Sequence, residues 1–239
     1  MSKTIQVIPI FHLALAFIPV GIVIVIHFLW SREHRNAIYA VSRMLIQLML
    51  IGYFLAYLFD TDSAWIVLTA TALMVFIASW ISLRTVRHKQ LNLYPKALLA
   101  LVVGGGTTLI LVTQGVLNLK PWYWPNYFIP LAGMIFANSM NSVSLAADRL
   151  EAEIGRDILY DQARNIAFRS SLIPITNSLF AVGLVSIPGM MTGQILSGVS
   201  PLIAARYQIM VMCMVFGAAG ISSAVFLSLV RADFVKEFS

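Results

Sequence analysis

The stretch Ile187-Pro188-Gly189-Met190-Met191-Thr192-Gly193-Gln194 interrupts an apolar segment that covers about residues 172–196. Proline has no backbone N–H and clashes with the preceding helical turn, and glycine adds conformational freedom beside it. In lipid, every backbone group that a break releases must find a partner inside the protein. The stretch therefore predicts a broken helix, which is either a simple kink or the hinge of a transport site, with Pro188, Gly189 and Gly193 as the hinge residues.

The whole chain is strongly apolar. Of its 239 residues, 59% are hydrophobic and 11% are charged, and the mean hydropathy is +0.85. This composition excludes an ordinary soluble domain, because so much apolar surface is stable only in a bilayer, where a spanning helix needs about 20 apolar residues. We therefore expect an all-α, polytopic integral membrane protein, with one transmembrane domain over residues 1–239. The single cysteine, Cys213, excludes an internal disulfide and a cysteine-based metal cluster.

About seven segments are long and apolar enough to cross a membrane. They are approximately residues 6–30, 38–59, 63–83, 96–117, 124–146, 172–196 and 204–230. Lys3, Lys120 and Arg206 fall on one side of this arrangement, and the basic residues of the other loops and of the carboxyl-terminal tail fall on the opposite side. Because basic residues accumulate in the cytoplasm, we expect the amino terminus outside and the carboxyl terminus in the cytoplasm. The net charge of +6 thus indicates topology and not a nucleic-acid partner.

The sequence lacks the motifs of several enzyme classes. It contains no Gly-x-x-x-x-Gly-Lys-Ser/Thr phosphate loop, no His-Glu-x-x-His pair and no Gly-x-Ser-x-Gly elbow. Gly104-Gly105-Gly106 lies inside an apolar span, where it predicts close contact between two helices. The chain is therefore expected to be no enzyme and to hold no cofactor of its own.

The fifth span carries a polar stripe. Asn138 and Asn141 share a helical face, and Met134 lies one turn before Asn138 on the same face. Amides in hydrocarbon need a partner helix or a water-lined path. Thioethers can ligate soft metals such as Cu(I), although methionine more often fills gaps in a core. We predict that a substrate path is lined by Met134, Asn138, Asn141, Met190 and Gln194, with no metal assigned.

Residues 147–171 form the longest predicted cytoplasmic segment. Leu150, Ile154 and Ile158 recur every four residues among mixed charges, which predicts an amphipathic helix. Such a helix is either a solvated surface element or a docking element for a cytoplasmic partner. In the second case, the residues predicted to contact the partner are Glu151, Glu153, Asp157 and Arg164.

Several blocks of the sequence resemble the FetB-like family of ABC transporter permeases. The resemblance covers about residues 37–230 and includes Arg43 and Gln47 of the second span. Its most specific block is 182–196, which contains the Pro-Gly-Met-Met-Thr-Gly sequence. The other blocks are 130–134 (Pro-Leu-Ala-Gly-Met), 138–146 (Asn-Ser-Met-Asn-Ser-Val-Ser-Leu-Ala), Ser200-Pro201 and 205–209 (Ala-Arg-Tyr-Gln-Ile).

The resemblance implies an inner-membrane permease subunit that pairs with a separate cytoplasmic ATPase subunit, which would bind ATP and Mg²⁺. It also implies a homodimer of the permease. Family members are connected with metal ion transport and metal stress: bacterial ones with iron export and plant ones with aluminium tolerance. Plant relatives are also connected with nucleotide-sugar transport.

The chain departs from the family pattern between the fifth and sixth spans. Asp148-Arg149-Leu150 leads through residues 151–171 to Leu172-Ile173-Pro174 without the longer stretch and the Leu-Gly-Ala-type turn of the family. In ABC permeases such stretches dock on the ATPase. Two other classes of function are therefore kept as alternatives: an ATPase-independent membrane carrier or channel, and a non-transporting membrane scaffold or regulator.

Overall fold

The computed structural model of the chain describes residues 9–30, 34–60, 63–86 and 90–235. In these ranges every regular element is a helix, and the only bridge of β type is an isolated pair between Val182 and Ser186. The prediction of an all-α fold is confirmed. The predicted residues 6–8 of the first span, and Lys3, lie outside the described residues.

The helices follow one another with short connections. In chain order they are α1 (Ile10–Leu15), α2 (Phe17–Trp30), α3 (His34–Phe59), α4 (Ala64–Ser82), α5 (Gln90–Leu101), α6 (Thr107–Ile110), α7 (Pro125–Ile154), α8 (Tyr160–Ala181), α9 (Gly189–Leu196), α10 (Pro201–Leu229) and α11 (Arg231–Val235). Two π-helical segments, Val102–Gly106 and Leu111–Val116, flank α6. The chain is therefore continuously helical from the start of α5 to Val116.

Six helical segments in the described part of the chain are long and apolar enough to cross a membrane. They are Phe11–Trp30, Arg35–Phe59, Ala64–Ser82, Leu91–Val116, Pro125–Ile154 and Pro201–Leu229. These segments coincide with six of the predicted spans, so the polytopic membrane architecture is confirmed.

The predicted span 172–196 is not one helix. Helix α8 ends at Ala181, the chain then unwinds, and α9 begins at Gly189. Val182 has extended backbone with a ψ of 130°, so α8 ends at Ala181, and Gly183 follows with a left-handed φ of 83°. Pro188, which has no N–H, caps the start of α9. The break therefore lies at residues 182–188, about one turn before the expected position, and residues 189–194 are helical.

The backbone of the break largely satisfies its own hydrogen bonds. The carbonyl of Ala181 accepts from the N–H groups of Leu184, Val185 and Ser186 at 3.2, 2.8 and 3.1 Å, and Gly183 donates to Ser186 at 3.0 Å. Since unpaired backbone groups are costly in a bilayer, this local pairing explains how an unwound segment persists between two helices.

By contacts between Cα atoms, the described residues group into two compact units. Residues 9–60 form the first unit, in which α2 packs against α3. Residues 63–235 form the second, in which α7 is central and packs against α4, α8 and α10. All predicted hinge, substrate-path and partner-contact residues belong to the second unit.

Small residues bring the helices of the second unit close together. A Cβ added to Gly104 would lie 2.5 Å from the backbone nitrogen of Ser222, and one added to Gly105 would lie 2.6 Å from the Phe136 ring. Gly106 has no such neighbour within 4 Å. The predicted close helix contact is thus made by two of the three glycines, against α10 and α7.

Helices α7 and α10 run parallel to each other, and α8 runs antiparallel to both. Ser142 of α7 lies beside Ser223 of α10 and Ser171 of α8, whereas Asn138, earlier in α7, lies near Ser178, later in α8. The chain therefore returns along α8, the break and α9 to the end of the unit where α10 begins.

Residues 147–171 do not form a separate amphipathic helix. They are the end of α7, a turn at 155–159 and the first half of α8, so they make an antiparallel helical hairpin. Gly155 follows the last turn of α7, and Asp157 adopts a left-handed φ of 61°. The apolar side chains that suggested amphipathic character are the internal face of this hairpin, where Leu150 and Ala163 are fully buried.

Candidate functional site

An open cavity of about 340 Å³ lies between α7, α8 and α10, next to the helix break. Met134 and Asn138 of α7 line it one helical turn apart, and Gln208 and Met212 of α10 line it with the same spacing. Met190, the second residue of α9, adds a third thioether. The cavity thus combines neutral amide and thioether groups beside unwound backbone.

Gln208 is the polar group that the sequence prediction of the site missed. Its side chain is only 5% exposed, and its Oε1 has no hydrogen-bond partner. A buried amide oxygen without a partner is unfavourable unless a ligand or water reaches it. Two signals could have identified Gln208: it is an amide in the first half of an apolar span, and it belongs to the block 205–209.

Asn138 connects this cavity with a smaller one toward the α7–α8 turn. The smaller cavity has a volume of about 90 Å³ and is also lined by Asn141, Ser142, Ser171 and Ser178. The side-chain nitrogen of Asn138 donates one N–H to the carbonyl of Met134 at 2.8 Å, so the amide oxygen and the second N–H remain for a ligand. The two cavities form a polar track along one face of α7.

The predicted substrate-path residues fall into two groups. Met134, Asn138, Asn141 and Met190 line the polar track. Gln194 lines neither of its two cavities: it lies on α9, one turn beyond Met190, and its Oε1 is buried without a partner. Of the predicted hinge residues, Pro188 and Gly189 line the larger cavity, and Gly193 lies inside α9.

A third cavity, of about 450 Å³, lies on the other side of the break and is almost wholly apolar. Val182, Pro188, Gln208 and Met212 border both this cavity and the polar one. The break therefore borders both the polar cavity and the apolar cavity.

The four predicted partner-contact residues differ in exposure: Glu151 is half-buried near the end of α7, whereas Glu153 is buried. The side chain of Glu153 is 3% exposed, and its Oε1 pairs with Arg149 at 2.6 Å and with Arg156 at 3.4 Å. Its charge is thus used inside the hairpin. Asp157 is exposed at the tip, and Arg164 pairs with Asp161 at 3.2 Å along α8.

Tyr160 anchors the hairpin to α10 at the charged end of the bundle. Its hydroxyl donates to the carbonyl of Leu227, and burial raises the pKa of Tyr160 to about 12. The phenol therefore stays protonated, and a hydrogen-bond donor, throughout the neutral range. The hairpin and the end of α10 are held together as a unit.

In the described part of the chain, no three side chains of the His, Cys, Asp and Glu types come together. What the polar cavity offers chemically is binding by neutral oxygen and sulfur atoms.

Comparison with known proteins agrees with this architecture. The model of a family described as "Uncharacterised protein family (UPF0014)" matches residues 10–158 and 156–235. The two matched segments meet in the turn between α7 and α8, where the sequence departs from the family pattern. No solved structure matches the chain.

Curated relatives cover most of the chain. It is 38% identical over 195 residues to "UPF0014 membrane protein slr1647" of Synechocystis, covering 74% of each chain. It is 33% identical over 205 residues to "Probable iron export permease protein FetB" of Escherichia coli, covering 79% of this chain and 77% of that one. It is 36% identical over 203 residues to "Protein ALUMINUM SENSITIVE 3" of Arabidopsis thaliana, covering 78% and 72%. This chain is therefore a multi-pass membrane protein that belongs to the UPF0014 family.

Proposed function

We propose that the chain is the permease subunit of an ATP-driven ABC transporter that exports metal ions such as iron. It would work as a homodimer in the inner membrane, with separate cytoplasmic ATPase subunits that bind ATP and Mg²⁺, and with its carboxyl terminus in the cytoplasm. The observation that carries the proposal is the polar cavity of α7, α8 and α10 beside the unwound residues 182–188.

A polar cavity beside broken backbone is typical of transport sites. Irregular backbone at membrane depth is tolerated where it is buried in protein or lines a water-filled space, and transporters place substrate sites at such breaks. Asn138 and Gln208 are amides within otherwise apolar helices, and both face this space. A purely structural kink would need neither the cavity nor the two amides.

The relatives support the class of substrate. The printed name of the Escherichia coli relative is that of a probable iron export permease, and that of the Arabidopsis relative refers to aluminium. Both names concern metal ions, and the similarity covers most of each chain. Metal export by this chain is inferred from them.

The α7–α8 hairpin is the element that would receive the force of the partner. Its tip is exposed and includes Asp157 and Leu159, and the Leu159 side chain is 74% exposed. An exposed leucine flanked by charges suits a protein contact better than water. Because Ser142 and Tyr160 tie the hairpin to its neighbours, movement of the tip would tilt α7 and α8 together about the break.

Reconstitution of the chain with its ATPase tests the proposal. In inside-out vesicles, we expect ATP-dependent uptake of a metal ion and stimulation of ATP hydrolysis by the same ion, screened across iron, manganese, zinc, copper and aluminium. Asn138→Ala combined with Gln208→Ala should lower uptake by about tenfold or more, since two contacts of about 1 kcal/mol or more each are removed. Asn126→Ala is the matched control, because Asn126 is an exposed amide on the same helix, away from the cavity.

Three results would contradict the proposal. Transport by the chain alone, without an ATPase, would establish the carrier or channel alternative. Absence of transport of every substrate tested by a correctly assembled complex would favour the scaffold alternative. Unchanged uptake by the double variant would exclude the cavity as the path.

A further inference from the structure

We propose that the cavity between α7, α8 and α10 binds a soft monovalent cation of the Cu(I) or Ag(I) class, through the thioethers of Met134, Met190 and Met212 with the Gln208 amide. This inference rests on the proposed transport function and names the class of its substrate. It keeps a metal ion as the substrate but departs from the iron and aluminium in the relatives' names.

Three helices each supply one methionine to the same cavity. Met134 belongs to α7, Met190 to α9 and Met212 to α10, and all three line the space into which Gln208 also projects. Thioether sulfur is a soft ligand that selects Cu(I) over hard ions. Three thioethers around one cavity are therefore a donor set suited to Cu(I).

These methionines differ from those that fill the core. Met214, two residues after Met212 on α10, is 2% exposed and packs inside the bundle as a gap-filling side chain does. Met134, Met190 and Met212 are only half-buried and border an open volume. Gap filling therefore accounts for Met214 and leaves the other three unexplained.

The charge of the cavity selects a monovalent ion. None of the described residues that line it is ionisable. The electrostatic cost of taking an ion from water into such a space rises with the square of its charge, so a monovalent ion costs about a quarter as much as a divalent ion and about a ninth as much as a trivalent one. Al³⁺ and Fe³⁺ would need carboxylates that the cavity lacks.

The buried, unpaired oxygen of Gln208 also favours a bound cation. The Gln208 side chain is 5% exposed and lines the same cavity as the methionines, and its buried Oε1 has no hydrogen-bond partner in the structure. An amide oxygen carries a partial negative charge, so a cation among the three sulfurs satisfies it. Binding then removes an unfavourable feature of the ligand-free protein.

The test is a Cu(I) affinity measurement on the full-length protein in detergent, by competition with the chelator bicinchoninate under reducing, anaerobic conditions. Ag(I) serves as a probe that does not change its oxidation state. All proteins carry Cys213→Ala, because Cys213 is exposed and borders the neighbouring cavity. Single changes of Met134, Met190 and Met212 to leucine keep the size and apolar character of each side chain. The matched control is Met140→Leu, a half-buried methionine of α7 outside the cavity.

We expect tight binding that each of the three leucine changes weakens by about tenfold or more, and that Met140→Leu leaves unchanged. Gln208→Leu should weaken it less than any of the three. Equal affinity in the triple variant Met134→Leu, Met190→Leu and Met212→Leu would overturn the inference, and so would tighter binding of Fe²⁺ than of Ag(I) at the same cavity.

The transport assay separates the two proposals. ATP-dependent uptake of another ion, with no specific Cu(I) binding, would remove this inference and leave the permease function standing. Specific Cu(I) binding by the three methionines, in a protein that couples to no ATPase, would retain the site and remove the ATP-driven function.

Discussion

The hydroxyl of Ser223 on α10 donates a hydrogen bond to the hydroxyl oxygen of Ser142 on α7, with 2.9 Å between the two oxygens. Ser142 in turn donates to the backbone carbonyl of Ser171 on α8 at 3.0 Å. Three helices are therefore joined by one chain of two bonds, and Ser142 and Ser171 of this chain line the smaller cavity of the polar track. Both hydroxyl donors in this chain are used.

The first prediction follows from the central position of Ser142. Ser142→Ala should destabilise the protein by about 1–3 kcal/mol, because it leaves the Ser223 hydroxyl without an acceptor in a buried site. Ser223→Ala removes one bond without orphaning Ser142, which still donates to Ser171, so its cost should be nearer 1 kcal/mol. Thermal unfolding in detergent measures both, and the double variant should cost less than the sum of the two. Strict additivity would contradict the coupling.

The second prediction concerns the contact between Gly104 and α10. Gly104→Ala should be strongly destabilising, because its Cβ would lie 2.5 Å from the backbone nitrogen of Ser222 and 2.8 Å from the Ser222 Cα, and backbone cannot move aside cheaply. Gly106→Ala, with no atom within 4 Å of the new Cβ, should be neutral or stabilising by up to about 1 kcal/mol. Detergent-solubilised yield and melting temperature report both changes. Similar behaviour of the two variants would show that α10 does not approach at Gly104.

The third prediction concerns the buried carboxylate of Glu153. Glu153→Gln keeps the shape and removes the charge that faces Arg149 and Arg156. Their side chains are 42% and 66% exposed, so solvent moderates the loss, and we expect a destabilisation of about 1–2 kcal/mol. The melting temperature should fall even when no ATPase is present. A Glu153→Gln variant that has normal stability but does not bind the ATPase would instead show that Glu153 contacts the partner.

The fourth prediction uses the backbone of Asp157. With a φ of 61°, this residue occupies the left-handed region, which disfavours side chains, so Asp157→Gly should stabilise the turn by up to about 1 kcal/mol. Asp157→Val should destabilise it, because a branched side chain fits that conformation worst. Measuring both stability and ATPase binding separates a role in the turn from a role in partner contact. If Asp157→Gly is more stable but no longer binds the ATPase, the Asp157 carboxylate contacts the partner.

The fifth prediction concerns pH. Burial raises the pKa of Tyr160 to about 12, so the folded protein keeps this proton between pH 10 and 12 while the unfolded chain releases it. The stabilising contribution is therefore complete below about pH 10 and decreases as the pH rises toward 12. Tyr160→Phe removes the hydrogen bond to Leu227, at about 1 kcal/mol, and should also flatten this alkaline decline. If the melting temperature of Tyr160→Phe depends on pH between 9 and 11 as that of the unmodified protein does, the raised pKa of Tyr160 is contradicted.

Much of the architecture could be predicted from the sequence because the bilayer imposes simple rules on it. A stretch of about 20 apolar residues has to be a helix, so α4, α10 and the start of α7 could be located within a few residues, whereas α7 continues eight residues beyond the predicted span, to Ile154. A proline and glycine block inside such a stretch has to interrupt it, so the broken helix was predictable, although its position moved to 182–188. The end of α8 at Ala181 depends on the extended backbone of Val182, which the sequence does not display.

The candidate site was only partly predictable, for a physical reason that its residues illustrate. Met134 and Asn138 share a face of one helix, so spacing alone places them together. Gln208 and Met212 join them only because α10 packs in the same direction as α7, which depends on contacts between residues more than 60 positions apart in the chain. The segment 147–171 was predicted only in part: Leu150 and Ile154 of its four-residue pattern are helical, but Ile158 lies in the turn, and the sequence did not reveal that Glu153 would be buried.

The sequence by itself therefore determined that this protein is helical, that it crosses a membrane several times, and that one of its helices is broken, because each of these follows from local chemistry along the chain. Only the tertiary structure decided which polar groups meet. The cavity exists because three helices lie side by side there, and its unpaired Gln208 oxygen and three thioethers come from separate elements. Packing between distant segments is a property of the whole fold, and no local pattern encodes it.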